Sequence, residues 1–359
     1  NTGNTNNFME FMGDLKTPVI DVFGRLTARG DGRFTDDSGN QVNTVNLYQG
    51  STLRLDYNMD VNDSMLISRL DNSNLGLESD ENKWGDSTAM TLDGAALNLF
   101  NSSGRQNHER VGQITVKNGA EIFLERNGTN GQIGLSTSGI TRSGQATLHV
   151  RPNTDNELGI VDLQSQKFFI DNGGSLLDAR GLFPVWMINA RQNTFLTYNN
   201  DLGVQNAAFT ATATTLGTGA AFLAGLTSVS VADYGTAVND ATLLGTANVW
   251  ALRIGTAADN ETTLTGHQIN IHSGGLIVDN NNAVGRVNFD TTNLYFGDGT
   301  NPVEGIIFND TNGVTTRVGG ILTAANLTVH GPGQLELTNT GNQISGNIQM
   351  NGGTLFANG

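Results

Sequence analysis

The chain has 359 residues, 46 glycines, five prolines, no cysteine and a formal charge of −15. The missing thiols exclude disulfides, thiol catalysis and thiolate metal sites. The acidic balance repels a phosphate backbone, so no nucleic-acid partner is expected; it suits a long protein kept soluble by its own charge. Charged residues make up only 15%, which leaves Asn, Thr, Ser and Gln to cover the surface, where they can form hydrogen-bonded ladders. Abundant Gly and Asn with few Pro describe a turn-rich all-β chain. No long stretch repeats its apolar residues every 3.6 positions, and no run of about 18 apolar residues is present to span a membrane.

In chain order, residues 1–18 form a polar leader that begins at Asn1, not Met. The chain therefore reads as a processed chain or a piece of a longer one. Phe8, Met9, Phe11 and Met12 give this leader an apolar side suited to docking. From Val19 the strands begin. Arg29-Gly30-Asp31 reads as a plain turn. The run Asp56 to Asp63 alternates oxygen-bearing side chains, but Val61 and Ile67 stand where a helix-loop-helix calcium site needs Gly and Glu, so it reads as a solvated loop.

One unit then recurs: a short alternating strand, a Gly-bearing corner and a second short strand. Val45/Leu47 precede Gly50 and Leu53/Leu55. Met90/Leu92 precede Gly94 and Leu97/Leu99. Ile114/Val116 precede Gly119 and Ile122/Leu124. Phe168/Ile170 precede Gly173, Gly174 and Leu176. Ile269/Ile271 precede Gly274, Gly275 and Leu276/Val278. Leu327/Val329 precede Gly331, Gly333 and Leu335/Leu337. Ile348/Met350 precede Gly352, Gly353 and Leu355. Alternation turns one face of each strand inward, and Gly accepts corner angles that a side chain forbids. One unit buries little alone, so copies must stack to make a core. Leu335 is expected inside and Thr328 on an outer face.

Between the copies, Trp84 reads as an aromatic plug and His108-Glu109-Arg110 as a surface loop. Residues 181–265 fit the repeat poorly. Their Phe183-to-Ile188 run and Ala/Thr/Gly-rich stretch predict an excursion that rejoins the stack near Val249-Trp250. His267, His272 and His330 lack zinc spacing. Asp279, Asp290, Asp298 and Asp310 form an acidic region without a paired-carboxylate signature, so no cofactor or catalytic residue is assigned. The predicted fold is all-β, a right-handed parallel β-helix or β-solenoid with an irregular mid-chain insertion. Its segments are 1–18, 19–180, 181–265 and 266–359.

The final stretch resembles the autotransporter-associated β-strand repeat. It carries Gly331-Pro332-Gly333-Gln334-Leu335-Glu336-Leu337, then Thr340-Gly341-Asn342, then Asn351-Gly352-Gly353-Thr354-Leu355. Trp84 to Leu97 and Arg110 to Val116 are similar to the runs found upstream in such proteins. The resemblance implies a surface-displayed or secreted bacterial passenger and is silent on activity. The functional expectation is a non-enzymatic extracellular structural protein. Copies would assemble through Phe8, Met9, Phe11, Met12, Leu355 and Phe356. An adhesin binding cell-surface glycans, or a polysaccharide lyase or hydrolase, are the alternatives.

Overall fold

The computed structural model describes residues 8–11, 15–29, 34–35, 43–57, 87–101, 106–127, 131–161, 165–212, 220–234, 240–255, 261–279, 286–311 and 314–357. Met12, Gly30, Asp31 and Trp84, with most of the Asp56-to-Asp63 run, lie outside them. Strand accounts for 60% of the fold and helix for 4%, so its core is built between strands. Two compact units divide the chain, Asn1–Asn206 and Ala207–Gly359.

In the first unit the strands are β1 (Phe8–Phe11), β2 (Leu15–Lys16), β3 (Val19–Val22), β4 (Arg25–Arg29), β5 (Phe34–Thr35), β6 (Thr44–Leu47), β7 (Thr52–Asp56), β8 (Ala89–Asp93), β9 (Ala96–Asn101), β10 (Gln106–Arg126), β11 (Gln132–Pro152), β12 (Gln166–Ile170), β13 (Met187–Asn189), β14 (Thr194–Asn199) and β15 (Gly203–Asn206). The long strands β10 and β11 lie parallel, one over the other, through most of their length. Two parallel rows, β3-β6-β8 and β1-β4-β7-β9, meet on β10, and β12 and β13 pair in parallel with β11. Repeat copies stand in matching register, Val45 on Met90 on Ile114 and Leu53 on Leu97 on Ile122. All six are at most 1% exposed.

The corners stack as well. Gly50 (φ +76°) donates its N–H to the Gly94 carbonyl at 2.9 Å, and Gly94 (φ +64°) donates to Lys117 at 3.0 Å. In the next copy the left-handed residue is Asn118 (φ +53°), and the predicted corner Gly119 lies within β10. Asn is among the few non-glycine residues that visit that region, and here its side-chain amide donates to Asp93 at the end of the neighbouring strand β8. Gly173 and Gly174 open a short 3-10 turn, Gly173–Leu176, after left-handed Asn172, where a second strand was expected. His108-Glu109-Arg110 is strand, not surface loop, and Glu109 is fully buried. Antiparallel pairing among the described residues is confined to β13 with β14 and β14 with β15, apart from one isolated bridge.

The second unit comprises β16 (Ala211–Thr212), helix α1 (Ala220–Gly225), β17 (Val231–Tyr234), β18 (Ala241–Leu243), β19 (Ala247–Val249), β20 (Ala251–Gly255), β21 (Thr262–Gly266), β22 (Gln268–Ile271), β23 (Gly275–Asp279), β24 (Val287–Phe289), β25 (Asn293–Phe296), β26 (Gly305–Asn309), β27 (Thr315–Val318), β28 (Leu322–Ala324), β29 (Leu327–His330), β30 (Gln334–Leu337), β31 (Gln343–Ile344), β32 (Ile348–Met350) and β33 (Thr354–Ala357). Its strands form three parallel sheets, β16-β17-β20-β23-β26-β29-β32, β18-β21-β24-β27-β30-β33 and β19-β22-β25-β28-β31. The chain visits the three in turn. Regular parallel pairing is already present at β17, ahead of the Val249-Trp250 point expected from the sequence.

Each sheet sends a column of apolar residues into one core. The columns are Leu252-Leu276-Ile307-Val329, Leu264-Phe289-Val318-Leu337 and Ile269-Leu294-Leu322. All of these residues are at most 4% exposed. Burying each such side chain contributes about 1.5–3 kcal/mol.

The glycine corners here are not all one corner. Gly274 (φ +79°) links β22 to β23, whereas Gly331 (φ +94°) links β29 to β30. A Cβ on Gly274 would lie 2.0 Å from the Glu304 carbonyl oxygen of the next pass, so close backbone approach and left-handed geometry both require glycine there. Gly275 lies in β23, Gly333 precedes β30, and Gly352 with left-handed Gly353 precedes β33. Thr328 is not on an exposed face: it is 0% exposed and its hydroxyl bonds Glu304. The outward residues beside it are buried too, with the His330 ring edge-on to Phe308 at 5.1 Å.

Candidate functional site

The unsatisfied parts of a stacked parallel fold are its ends, where strand N–H and C=O groups lack a neighbour. In the second unit, β31, β32 and β33 are each last in their sheet. Register sets Ile348 under Leu327, Met350 under Val329 and Leu355 under Leu335. Higher in the stack these positions are core. At the edge Ile348 is 48% and Met350 36% exposed, and Leu355 is only partly buried against the core. Phe356, predicted as an assembly residue, is 45% exposed and shares its row with Glu336, on the opposite face from Leu355.

The first unit has an open edge of its own. Phe8 and Phe11 lie in β1, which pairs in parallel with β4 of the same chain. The leader is thus held in its own unit along one side, and β1 ends its sheet on the other. Met9 is 59%, Val19 47% and Phe23 74% exposed. They line a groove of about 670 Å³ together with Ile20, Val22 and Leu26. Phe23 stacks flat on Tyr48 at 4.4 Å, and the Tyr48 hydroxyl donates to Asp21 at 3.3 Å. Ile348, Met350, Val19 and Phe23 escaped the sequence-based assignment. For Ile348 and Met350 the signal is an inward-type apolar residue in the last copy of a repeat; Val19, in β3, and Phe23, just after it, lie on the outward face.

Elsewhere the acidic region does not converge. Among the described residues no group of three or more His, Asp or Glu is placed to hold a metal. Asp298 is engaged in its own turn. It accepts the Asn301 backbone N–H at 2.6 Å, the Asn301 side-chain amide at 2.9 Å and the Thr300 N–H at 2.8 Å. These bonds hold its carboxyl down at about 2, against an ordinary 3.8. A depressed carboxyl stabilises the fold above its unfolded value and loses that contribution as pH falls toward the folded one. A carbon-13 titration of the Asp298 carboxyl should therefore show a midpoint near 2. A midpoint near 3.8 would mean the turn bonds are absent in solution.

On the outer face of β7, β9, β10 and β11, Arg54 lies 4.0 Å over the Phe100 ring and Arg151 3.7 Å over Phe123. Arg54 also donates to Glu125 at 3.0 Å and Arg151 to Glu121 at 2.8 Å. Nothing in the repeat pattern marks these outward residues. Compared with protein-family models, curated proteins and solved structures, the chain matches none. No helix among the described residues is long and apolar enough to cross a membrane.

Proposed function

We propose that this chain is a right-handed parallel β-helix that serves as the structural subunit of an extracellular fibre, with copies joined head-to-tail through their terminal strand edges. The carrying observation is the last set of strands. Ile348 and Met350 occupy core register beneath Leu327 and Val329, yet are 48% and 36% exposed. Such an edge accepts another parallel strand at the ordinary spacing of about 4.8 Å. The β1 side of the first unit offers open strand edge beside exposed Met9, Val19 and Phe23. Each edge belongs to a parallel sheet, and a head-to-tail contact between copies propagates unless it closes into a ring. The cycle through three parallel sheets supports the β-helix reading. The autotransporter-like repeat from Gly331 to Leu355 fits a bacterial surface or secreted setting.

Light scattering over a concentration series tests the assembly. The native chain should grow well beyond its 38.0 kDa mass. The double variant Ile348→Lys/Met350→Lys should remain monomeric with its melting temperature nearly unchanged, because both side chains are already part-exposed. A native chain that stays monomeric at high concentration would reject the fibre.

A second reading, an adhesin that binds cell-surface glycans, is favoured by the Arg54-Phe100 and Arg151-Phe123 stacks. Rings and planar donors on a flat strand face suit sugar rings. A glycan array on the monomeric double variant separates the two roles.

A further inference from the structure

The outer face of β10, β11 and β12 carries chemistry that neither the stacked core nor the terminal edges use. Register places His108, Gly134 and Lys167 in one row across these strands, and Arg110, Ser136 and Phe169 in the next. Gly134 leaves a gap in the first row, and the His108 imidazole leans into it: a Cβ on Gly134 would lie 2.5 Å from Nδ1. The same ring hydrogen-bonds the Ser136 hydroxyl through Nε2 and stands 6.2 Å from the Phe169 ring.

The charges on this face are unequal. Arg110 is paired with Asp171 at 2.6 Å. Lys167 is 3% exposed, and among the described residues its amine has no ion pair or hydrogen bond. An ammonium buried without a partner is costly. It occurs here in a chain with 34 Asp and Glu residues, any of which in the facing row would have neutralised it. Burial pushes the Lys167 amine below the usual lysine range, as expected when no anion is present to hold its proton.

We propose that this face is an anion site, in which Lys167, His108 and Ser136 hold one oxyanion group, a carboxylate or a phosphate, beside the Phe169 ring. Lys167 supplies the charge and a charge-assisted hydrogen bond. Ser136 supplies a hydroxyl donor, and His108 fixes the direction of that hydroxyl. Ser136 is itself only 3% exposed. The site therefore admits an anionic head group, not a chain laid across it, and the hydroxyl is placed to bind and not to attack a substrate.

The chain has four lysines, Lys16, Lys83, Lys117 and Lys167, so their side-chain NMR signals are few. Full-length protein with carbon-13-labelled lysine is titrated with sodium phosphate and, separately, sodium acetate, at ionic strength held constant with sodium chloride. The Lys167 signal is assigned by its loss in Lys167→Met, which keeps the apolar stem. Saturable movement of the Lys167 signal alone is expected, with a higher pH midpoint for its amine when the anion is bound. Ser136→Ala should weaken the affinity about tenfold, the loss of one charge-assisted hydrogen bond. Response to phosphate alone assigns a phosphate-bearing ligand, and response to acetate assigns a carboxylate. A Lys167 signal unmoved by either salt overturns the proposal. Equal, linear drift of all four lysine signals overturns it as well. The titrations are run on the Ile348→Lys/Met350→Lys background, which keeps the chain monomeric, and saturable movement of one of the four native lysine signals is read without any further variant.

Discussion

Leu335→Asp should strongly destabilise the second unit. Leu335 is 0% exposed and stands in register between Thr316 and Leu355, inside the core that all three sheets share. A carboxylate there loses its water without gaining a partner, because the neighbouring charges Arg317 and Glu336 lie on the opposite face of their strands. The cost of an uncompensated buried charge is about 3–5 kcal/mol, a large share of the 5–15 kcal/mol typical of a folded domain. Leu244→Asp makes the same exchange at a side chain that is 84% exposed. It should change stability by no more than about 0.5 kcal/mol. Urea midpoints of the two variants check this, and equal midpoints would show that the inward and outward faces have been misassigned.

Glu157→Ala should cost the first unit nearly as much, by a different route. The Arg126 and Glu157 side chains are 7% and 10% exposed. Arg126 Nε donates to Glu157 Oε2 at 2.9 Å, and its Nη2 donates to Oε1. Gln166 Nε2 donates to the same Glu157 Oε2 at 2.7 Å, while Gln166 Oε1 accepts the Asn153 N–H at 2.8 Å. The Asn153 amide returns to the Arg126 carbonyl at 2.6 Å. This closed network ties the end of β10 to β12 and to the turn after β11. Removing Glu157 strands a buried guanidinium, for about 3–5 kcal/mol. Arg126→Met combined with Glu157→Leu should recover much of that, because replacing both partners leaves no buried charge. A single variant that costs under about 1 kcal/mol, or a double variant as weak as the single, would mean the pair is solvated.

Much of the stacking was legible in the sequence because it rests on period and spacing. The step from Val329 to Met350, visible as a repeat, is a register pair in the structure, and so is Leu335 with Leu355. The inward residues Leu47, Leu55, Leu92, Leu97, Val116, Ile122, Ile271 and Val278 are all fully buried. What period cannot show is whether an outward face is also covered. Thr328 and His330 sit on such a face and are buried, although a two-residue alternation reads them as surface. Left-handed corners were legible only where glycine fills them. Asn118 and Asn172 take the same left-handed angle and look like ordinary loop residues. The antiparallel strands β13 to β15 carry no repeat, so the sequence marked the departure without its pairing. The edge residues were half legible: Leu355 and Met9 were named from the sequence, Ile348 looks like core until the neighbouring strand is seen to be missing, and Val19 and Phe23 are apolar residues on the outward face beside buried Ile20 and Val22. The Lys167 face was not legible at all, because His108, Ser136 and Lys167 are brought together only by the register of three strands.

Electron cryomicroscopy of the chain at high concentration tests the central claim most directly. The account predicts filaments in which strands lie across the axis at a spacing of about 4.8 Å, with β32 and β33 of one copy meeting the β1 edge of the next. Single particles of 38.0 kDa with free ends would contradict it, as would filaments joined through the flat outer faces of the sheets.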